Sequence, residues 1–106
     1  MDLERLNPDS SISCPIKMSE IAGYLRVEES RPIPHKQIKF VRTARIEGFR
    51  YWLFRYSSRG KVNFAVVQAR KRLFVFNATL LGCQENSDDL PPEEFLTRYH
   101  EQCKSL

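Results

Sequence analysis

The sequence predicts an α+β domain in which helices pack on the faces of one antiparallel β-sheet. Two segments with the apolar spacing of a helix flank the middle of the chain. Between them, apolar residues alternate with a period of two in four segments that are joined by short connections. Short connections make consecutive strands antiparallel neighbours. Several of the strands are apolar on both sides, and this predicts that helices cover both faces of the sheet.

The length of 106 residues fits one domain. We expect a polar N-terminal lead over residues 1–14 and a single α+β domain over residues 15–106. The first fifteen residues lack the basic and apolar regions of a signal or transit segment. The longest apolar runs are only a few residues long, so we expect no transmembrane segment.

The first helix is predicted over residues 15–26. Four apolar residues follow the spacing i, i+3, i+4, i+7, namely Met18, Ile21, Ala22 and Leu25. Ser13 is a plausible N-cap, and Pro15 suits a first helical turn. Residues 27–36 are predicted to be a linker, because each proline in that stretch disfavours the helical conformation of the residue before it.

Four strands are predicted over residues 38–47, 49–56, 61–69 and 72–80. In the first, one face should carry Ile38, Phe40, Ala44 and Ile46, with Arg42 as an exception. In the second, one face should carry Trp52, Phe54 and Tyr56, and the other Tyr51 and Leu53. The third should likewise place Phe64 and Val66 opposite Ala65 and Val67.

Turns are predicted at Gly48, over residues 57–60 and at Arg70-Lys71. Residues 81–91 read as a polar, acidic loop. A last helix is expected over residues 92–104, because Pro92 suits a first helical turn and acidic residues follow it. Its apolar stripe would consist of Phe95, Leu96, Tyr99 and Cys103.

Positive charge is concentrated in the middle of the chain. Residues 36–72 contain eleven lysines or arginines and a single acid, Glu47, whereas both flanks are acidic. Such a module would suit an acidic protein partner. Because aromatics are interleaved with the arginines, it would also suit a nucleic acid. A third interpretation is that the aromatics form the core and the arginines lie on rims and turns.

No catalytic or metal-binding set is evident in the sequence. It has no Gly-rich phosphate loop, no Gly-x-Ser-x-Gly and no paired histidine ligands. His100 and Cys103 are three residues apart on the last helix and could form a base–nucleophile pair. The favoured interpretation makes Cys103 a core thiol and His100 a solvated residue. Because the three cysteines are odd in number and widely spaced, we expect reduced thiols and no zinc site, with one disulfide and one free thiol as the alternative in an oxidising compartment. We expect no cofactor.

Three segments of the chain resemble the PsbP domain, the family of an extrinsic protein of photosystem II and of related thylakoid proteins. The segment from Arg45 to Tyr56 resembles its glycine-containing aromatic hairpin, and Arg72 to Thr79 resembles its "Leu-Tyr-x-Leu-Asn-Ala" strand. Residues 15–25 resemble the helix that precedes the sheet. Three features depart from the family: Arg55 stands where an acid is usual, no Trp follows Ala78, and residues 1–14 supply no first hairpin.

The resemblance implies an α-β-α sandwich without enzyme activity that docks on a membrane-protein complex. It further implies photosystem II as that complex and the chloroplast thylakoid lumen as the compartment. Calcium ion binding is also associated with the family, but no metal ligand is assigned to a residue of this chain. Without the resemblance, a soluble intracellular protein is expected.

Four basic residues are the predicted partner-binding site, namely Arg50, Arg70, Lys71 and Arg72. If the strands are antiparallel neighbours, Arg50 lies at the same end of the sheet as the other three, and that end would contact an acidic surface. Binding of nucleic acid is the alternative. The position of Trp52, Phe54 and Tyr56 separates the two hypotheses, because bases cannot stack on aromatics that a helix covers.

Overall fold

A computed structural model of the chain describes residues 14–72 and 75–104, with the side chains of residues 70–79 outside that description. The predicted lead therefore lies outside it apart from Cys14, and so does the predicted cap Ser13. The described elements, in chain order, are α1 (Met18–Glu29), a 3-10 turn (His35–Gln37), β1 (Lys39–Ile46), β2 (Phe49–Ser58), β3 (Lys61–Arg72), β4 (Val75–Glu85) and α2 (Pro92–Lys104). The predicted α+β fold class is confirmed.

The four strands form one antiparallel sheet in the order β1-β2-β3-β4. Each strand thus pairs with its neighbour in sequence, as the short connections predict. The ends of the sheet are named here after the glycines of its first two turns. The Gly48 end contains the end of β1, the start of β2 and the end of β3, and the Gly60 end contains the opposite termini.

Both faces of the sheet are covered, each by one helix. The face under α1 forms a core in which the largest buried sheet residues are Trp52, Phe54 and Tyr56, together with Ile21, Ala22 and Leu25 of the helix. The face under α2 forms a second core of Ala44, Tyr51, Leu53, Phe64, Val66, Phe95 and Leu96. The predicted faces of the second and third strands are confirmed. Fully burying one such large apolar side chain is worth roughly 1.5–3 kcal/mol.

The prediction of a single apolar face for the first strand is wrong. A β-bulge interrupts β1, because Phe40 pairs with Phe54 and Arg42 with Leu53, which leaves one extra residue in β1. An extra residue inverts the alternation of side chains beyond it.

The bulge divides the four apolar residues of the predicted first strand between the two cores. Ile38 and Phe40 lie before it and contact the α1 core, whereas Ala44 and Ile46 lie after it and contact the α2 core. It also explains Arg42, whose guanidinium Nη1 lies 2.9 Å from the Glu93 carboxylate of α2.

The first helix begins later and ends later than predicted. Its N-cap is Lys17, whose backbone N–H donates to the Glu20 carboxylate at 3.3 Å, so Pro15 precedes the helix. The helix continues through part of the predicted linker to Glu29 and ends at Ser30, which has a left-handed φ of 58°. A left-handed residue is the usual stop of a helix. The extra turn carries Glu29 to the Gly60 end of the sheet.

The last two strands are longer than predicted. β3 runs through Arg70 and Lys71 to Arg72, so the predicted turn at Arg70-Lys71 is wrong. β4 continues to Glu85 and occupies half of the predicted acidic loop. Leu81 and Cys83 explain the extension, because they alternate along β4 and pack against the α1 core.

The two described hairpin turns both have two residues with a left-handed backbone. Glu47 and Gly48 have φ of 49° and 84°, and Arg59 and Gly60 have φ of 57° and 72°. Two consecutive left-handed residues make a type I′ turn, whose twist matches that of the flanking strands. Gly is favoured at such positions, but Glu47 and Arg59 carry side chains that reach other elements.

The second helix has the predicted bounds, and its contact with the sheet depends on a glycine. Phe95, Leu96 and Tyr99 all pack in the α2 core, as predicted. The Tyr99 ring lies over Gly82 of β4, where a Cβ atom would overlap the Tyr99 hydroxyl oxygen. The absence of a side chain at Gly82 therefore lets α2 approach the sheet closely.

The substitution Gly82→Ala should force Tyr99 off the sheet and lower the free energy of unfolding by about 1–3 kcal/mol. Urea denaturation monitored by fluorescence measures this change. The double variant Gly82→Ala/Tyr99→Phe removes the overlapping hydroxyl and should recover part of the loss. If Gly82→Ala lowered the free energy of unfolding equally in the wild type and in the Tyr99→Phe variant, this packing would be contradicted.

Candidate functional site

Arg50 is the described member of the predicted partner-binding site. It lies near the start of β2, where its cross-strand neighbour on β1 is Arg45 and on β3 is Ala69. Its guanidinium carbon lies 6.0 Å from the centroid of the Trp52 ring, at the distance of a cation–π contact. Burial, and secondly the charge of Arg45, lower the pKa of Arg50. None of the ion pairs found among the described residues includes Arg50.

The other three predicted site residues are in the last part of β3. Arg70 pairs with Phe49, which places the backbone of β3 beside Arg50 at the Gly48 end. The register thus agrees with the expected placement of Arg50, Arg70, Lys71 and Arg72 at one end of the sheet. The side chains of Arg70, Lys71 and Arg72 lie outside the described residues.

The prediction that His100 is a solvated residue is wrong. The residue is only 1% exposed and lies between α2 and the sheet. Its Nδ1 is 2.5 Å from the Tyr51 hydroxyl oxygen and its Nε2 is 2.9 Å from a carboxylate oxygen of Glu47. The 3.6-residue spacing of the apolar stripe Phe95, Leu96 and Tyr99 includes position 100, and this was the available sequence signal.

The hydrogen-bond network assigns the protons around His100. The side-chain amide of Gln68 donates to the Tyr51 oxygen at 2.9 Å, so the Tyr51 O–H is free to donate to Nδ1 of His100. Nε2–H then donates to Glu47. Neutral histidine satisfies both contacts in this tautomer, which is assigned from the network. Every buried polar atom of this chain of contacts has a partner, as a stable polar network requires.

Glu47 connects this network to the first hairpin turn. Its carboxylate also accepts from Nζ of Lys104 at 3.2 Å. The hydrogen bonds from Lys104 and then from His100 hold the pKa of Glu47 below its ordinary value of 4.5. The turn residue with the left-handed backbone therefore anchors the C-terminal half of α2. We refer to Glu47, His100, Tyr51 and Gln68 as the His100 network.

A second carboxylate anchors α1 at the opposite end of the sheet. Glu29, at the end of α1, accepts from the hydroxyls of Ser58 at 2.6 Å and Tyr56 at 2.9 Å. Nη2 of Arg59 donates to its backbone carbonyl at 3.3 Å. The Ser58 hydrogen bond is the largest cause that lowers the pKa of Glu29, and Tyr56 adds to it. Each helix is thus tied to one hairpin turn.

The three cysteines are free thiols. Burial raises the pKa of Cys14 and of Cys83, so neither is an activated thiolate at neutral pH. Both ring nitrogens of His100 are engaged by Tyr51 and Glu47, which does not leave His100 to act as the base for Cys103. Burial, and secondly the nearby Cys103, raise the pKa of Tyr99 to about 12.

The carboxylate–imidazole–hydroxyl order of the His100 network resembles a general-base arrangement, but its hydroxyl is inaccessible. Tyr51 is fully buried, and burial raises the pKa of its hydroxyl. A nucleophile must reach the substrate. We therefore interpret the network as a clamp between α2 and the first hairpin. Among residues 14–72 and 75–104, no three histidine, cysteine or acidic side chains are grouped as metal ligands.

Comparison of the chain with protein-family models, with curated proteins and with solved structures finds no match. In the part of the chain that the structure describes, neither helix combines the length and the apolar composition needed to cross a bilayer.

The substitution His100→Ala should lower the free energy of unfolding by about 2–4 kcal/mol, because it leaves a cavity and deprives the buried Tyr51 hydroxyl of its acceptor. Chemical denaturation at neutral pH measures the loss. Lys104→Met is the control, since it removes only exposed contacts, to Glu47 and to Glu101, and its cost should be much smaller. Equal midpoints for wild type and His100→Ala would contradict the clamp.

The lowered pKa of Glu29 predicts an acid-dependent part of the stability. The unfolded chain, with a pKa near 4.5, binds more protons than the folded one. The contribution of Glu29 to the free energy of unfolding is therefore fully present above pH 4.5. It is lost as the pH falls through the lower pKa that Glu29 has in the folded protein. Ser58→Ala removes the largest cause of the shift, so the variant should be less stable than wild type at about pH 6 and lose less stability down to about pH 3. Parallel pH curves of the melting temperature would contradict this assignment.

Proposed function

We propose that the protein is a non-catalytic binding module that docks an acidic surface of a partner protein on its Gly48 end. The observation that carries the proposal is the state of Arg50. This guanidinium is half-buried against Trp52, has another arginine as its cross-strand neighbour, and belongs to no ion pair among the described residues. An anionic partner would supply the missing opposite charge.

The surroundings of Arg50 cost free energy in the unbound protein. Like charges directly opposite each other in a sheet are destabilising, and a partly desolvated cation costs further free energy. The cation–π contact with Trp52 offsets part of this free-energy cost. A carboxylate brought by a partner would be attracted by Arg50 and would offset this cost on binding.

The charge distribution of the chain supports the same end. The segment from residue 36 to residue 72 contains eleven basic residues, and the last three of them follow Ala69, the β3 partner of Arg50, along the strand at the same end of the sheet. A local field of one sign speeds the approach of a partner of the opposite sign.

Nucleic acid is less well supported as the partner. Trp52, Phe54 and Tyr56 are at most 3% exposed and are covered by α1, so bases cannot stack on them. The proposed absence of catalysis is supported by the buried state of the Tyr51 hydroxyl and by the raised pKa values of Cys14 and Cys83.

The finer identity of the partner comes from the resemblance alone. If the PsbP-like segments reflect kinship, the acidic surface belongs to photosystem II and the compartment is the thylakoid lumen. Binding to photosystem II complexes that lack their extrinsic subunits tests this identity separately from the docking surface. Binding of an acidic protein other than photosystem II at the Gly48 end would support the proposed binding module and would contradict its kinship with the PsbP family.

The substitution Arg50→Gln should weaken binding of a poly-L-glutamate probe about threefold to tenfold at low salt and by less at high salt, because salt screens the attraction between charges farther apart than about 8–10 Å at physiological ionic strength. Adding Arg70→Gln, Lys71→Gln and Arg72→Gln should weaken it further. Titration with fluorescence detection measures the affinity, and amide chemical shifts locate the contact.

The matched control is Arg26→Gln on the exposed side of α1, which changes the charge by the same amount. It should leave the affinity within about twofold. Equal affinities of wild type and the Arg50→Gln variant for poly-L-glutamate at low salt would refute the docking surface. Loss of affinity for a single-stranded oligonucleotide, with none for poly-L-glutamate, would favour the alternative function.

A further inference from the structure

An open groove of about 690 Å³ lies at the Gly60 end of the sheet, away from Arg50. Its size is within the range of ligand-binding clefts. It runs between the 3-10 turn and the first residues of β1 on one side and the end of β2 on the other. Its lining includes Lys36, Lys39, Phe40, Arg55, Tyr56 and Ser57.

A stretch of strand edge borders the groove. The pairing of β1 with β2 begins at Lys39 and Arg55, whereas β2 continues to Ser58. The chain before Lys39 leaves the sheet as the 3-10 turn, so the register between β1 and β2 does not include the last three residues of β2. An extended peptide can be added along such an edge through main-chain hydrogen bonds.

The groove is lined by three cations and no acid. Lys36, Lys39 and Arg55 are all exposed, and none of the ion pairs formed by the described residues includes any of them. Lys39 and Arg55 are direct cross-strand partners, which is again a destabilising arrangement of like charges. The groove would therefore attract an anionic chain.

Two other occupants fit the groove less well. A second copy of the same edge would bring three further cations against these three, so the charges oppose edge-to-edge pairing. A nucleic acid would need a free aromatic face, but Tyr56 is 1% exposed and its hydroxyl donates to Glu29. The Phe40 ring is partly buried and packs edge-on against Phe54 with centroids 5.6 Å apart.

We propose that this groove is a second binding site, which takes an extended acidic peptide segment of a partner protein as an added strand beside the end of β2. The carboxylates of the segment would lie against Lys36, Lys39 and Arg55, and its backbone would follow Tyr56 to Ser58. The site is separate from the docking surface around Arg50, since the two lie at opposite ends of the sheet.

The test uses the full chain and a fluorescein-labelled octapeptide of alternating glutamate and threonine. The double variant Lys39→Ala/Arg55→Ala should bind this probe about tenfold more weakly than wild type. The matched control Lys17→Ala/Arg26→Ala removes two exposed cations outside the groove and should bind within about twofold of wild type. Arg50→Gln should also leave this affinity within about twofold, which separates the groove from the docking surface.

A second probe with proline at alternate positions keeps the carboxylates but removes main-chain donors. It should bind about tenfold more weakly if the peptide adds as a strand. The proposal would be overturned if the first peptide did not bind, or if the two peptides bound equally well. It would also be overturned if the groove variant and the control variant weakened binding of the first peptide equally. Tighter binding of an octathymidine through Lys39 and Arg55 would also overturn it, in favour of a nucleic-acid groove.

Discussion

The fold depends on a four-stranded sheet whose two faces are both apolar. Leaving either face in water would expose several large side chains, each worth roughly 1.5–3 kcal/mol on burial. The chain therefore has to place one helix on each side, and it does so with α1 before the sheet and α2 after it. The burial of Trp52 and of the other large aromatic side chains of β2 follows from this double covering.

Apolar contact alone leaves a helix free to slide and rotate on a sheet, because the hydrophobic effect has no direction. The carboxylates of Glu29 and Glu47 fix the position and orientation of the two helices on the sheet. Glu29 ties the end of α1 to the hydroxyls of β2 near one turn, and Glu47 ties α2 through His100 to the other. Both contacts use hairpin turns or their flanking residues, so the position of each helix is set by the same turns that set the strand register.

The polar side chains that could act in catalysis are already engaged in these hydrogen bonds. His100 and Tyr51 have the residue types of an acid–base pair, yet both are buried and have partners. What the surface retains is positive charge that the described ion pairs do not neutralise, at Arg50 on one end and at Lys36, Lys39 and Arg55 on the other. A scaffold with a closed core and unneutralised cations at both ends of its sheet is suited to recognition, which is the reason for proposing a binding module.

Local pattern was sufficient for the fold class, for both helices, for the existence of all four strands and for the faces of β2 and β3. The period of apolar residues and the left-handed preference of glycine act between near neighbours, so they can be read without coordinates. The bulge in β1 was visible only as an unexplained Arg42, because the extra residue is defined by its partner strand. The role of His100 was decided by Tyr51 and Glu47, which are 49 and 53 residues away in sequence. Partners so distant in the chain meet only in the tertiary structure, and a histidine's environment, unlike its helix, is set by what the fold brings to it.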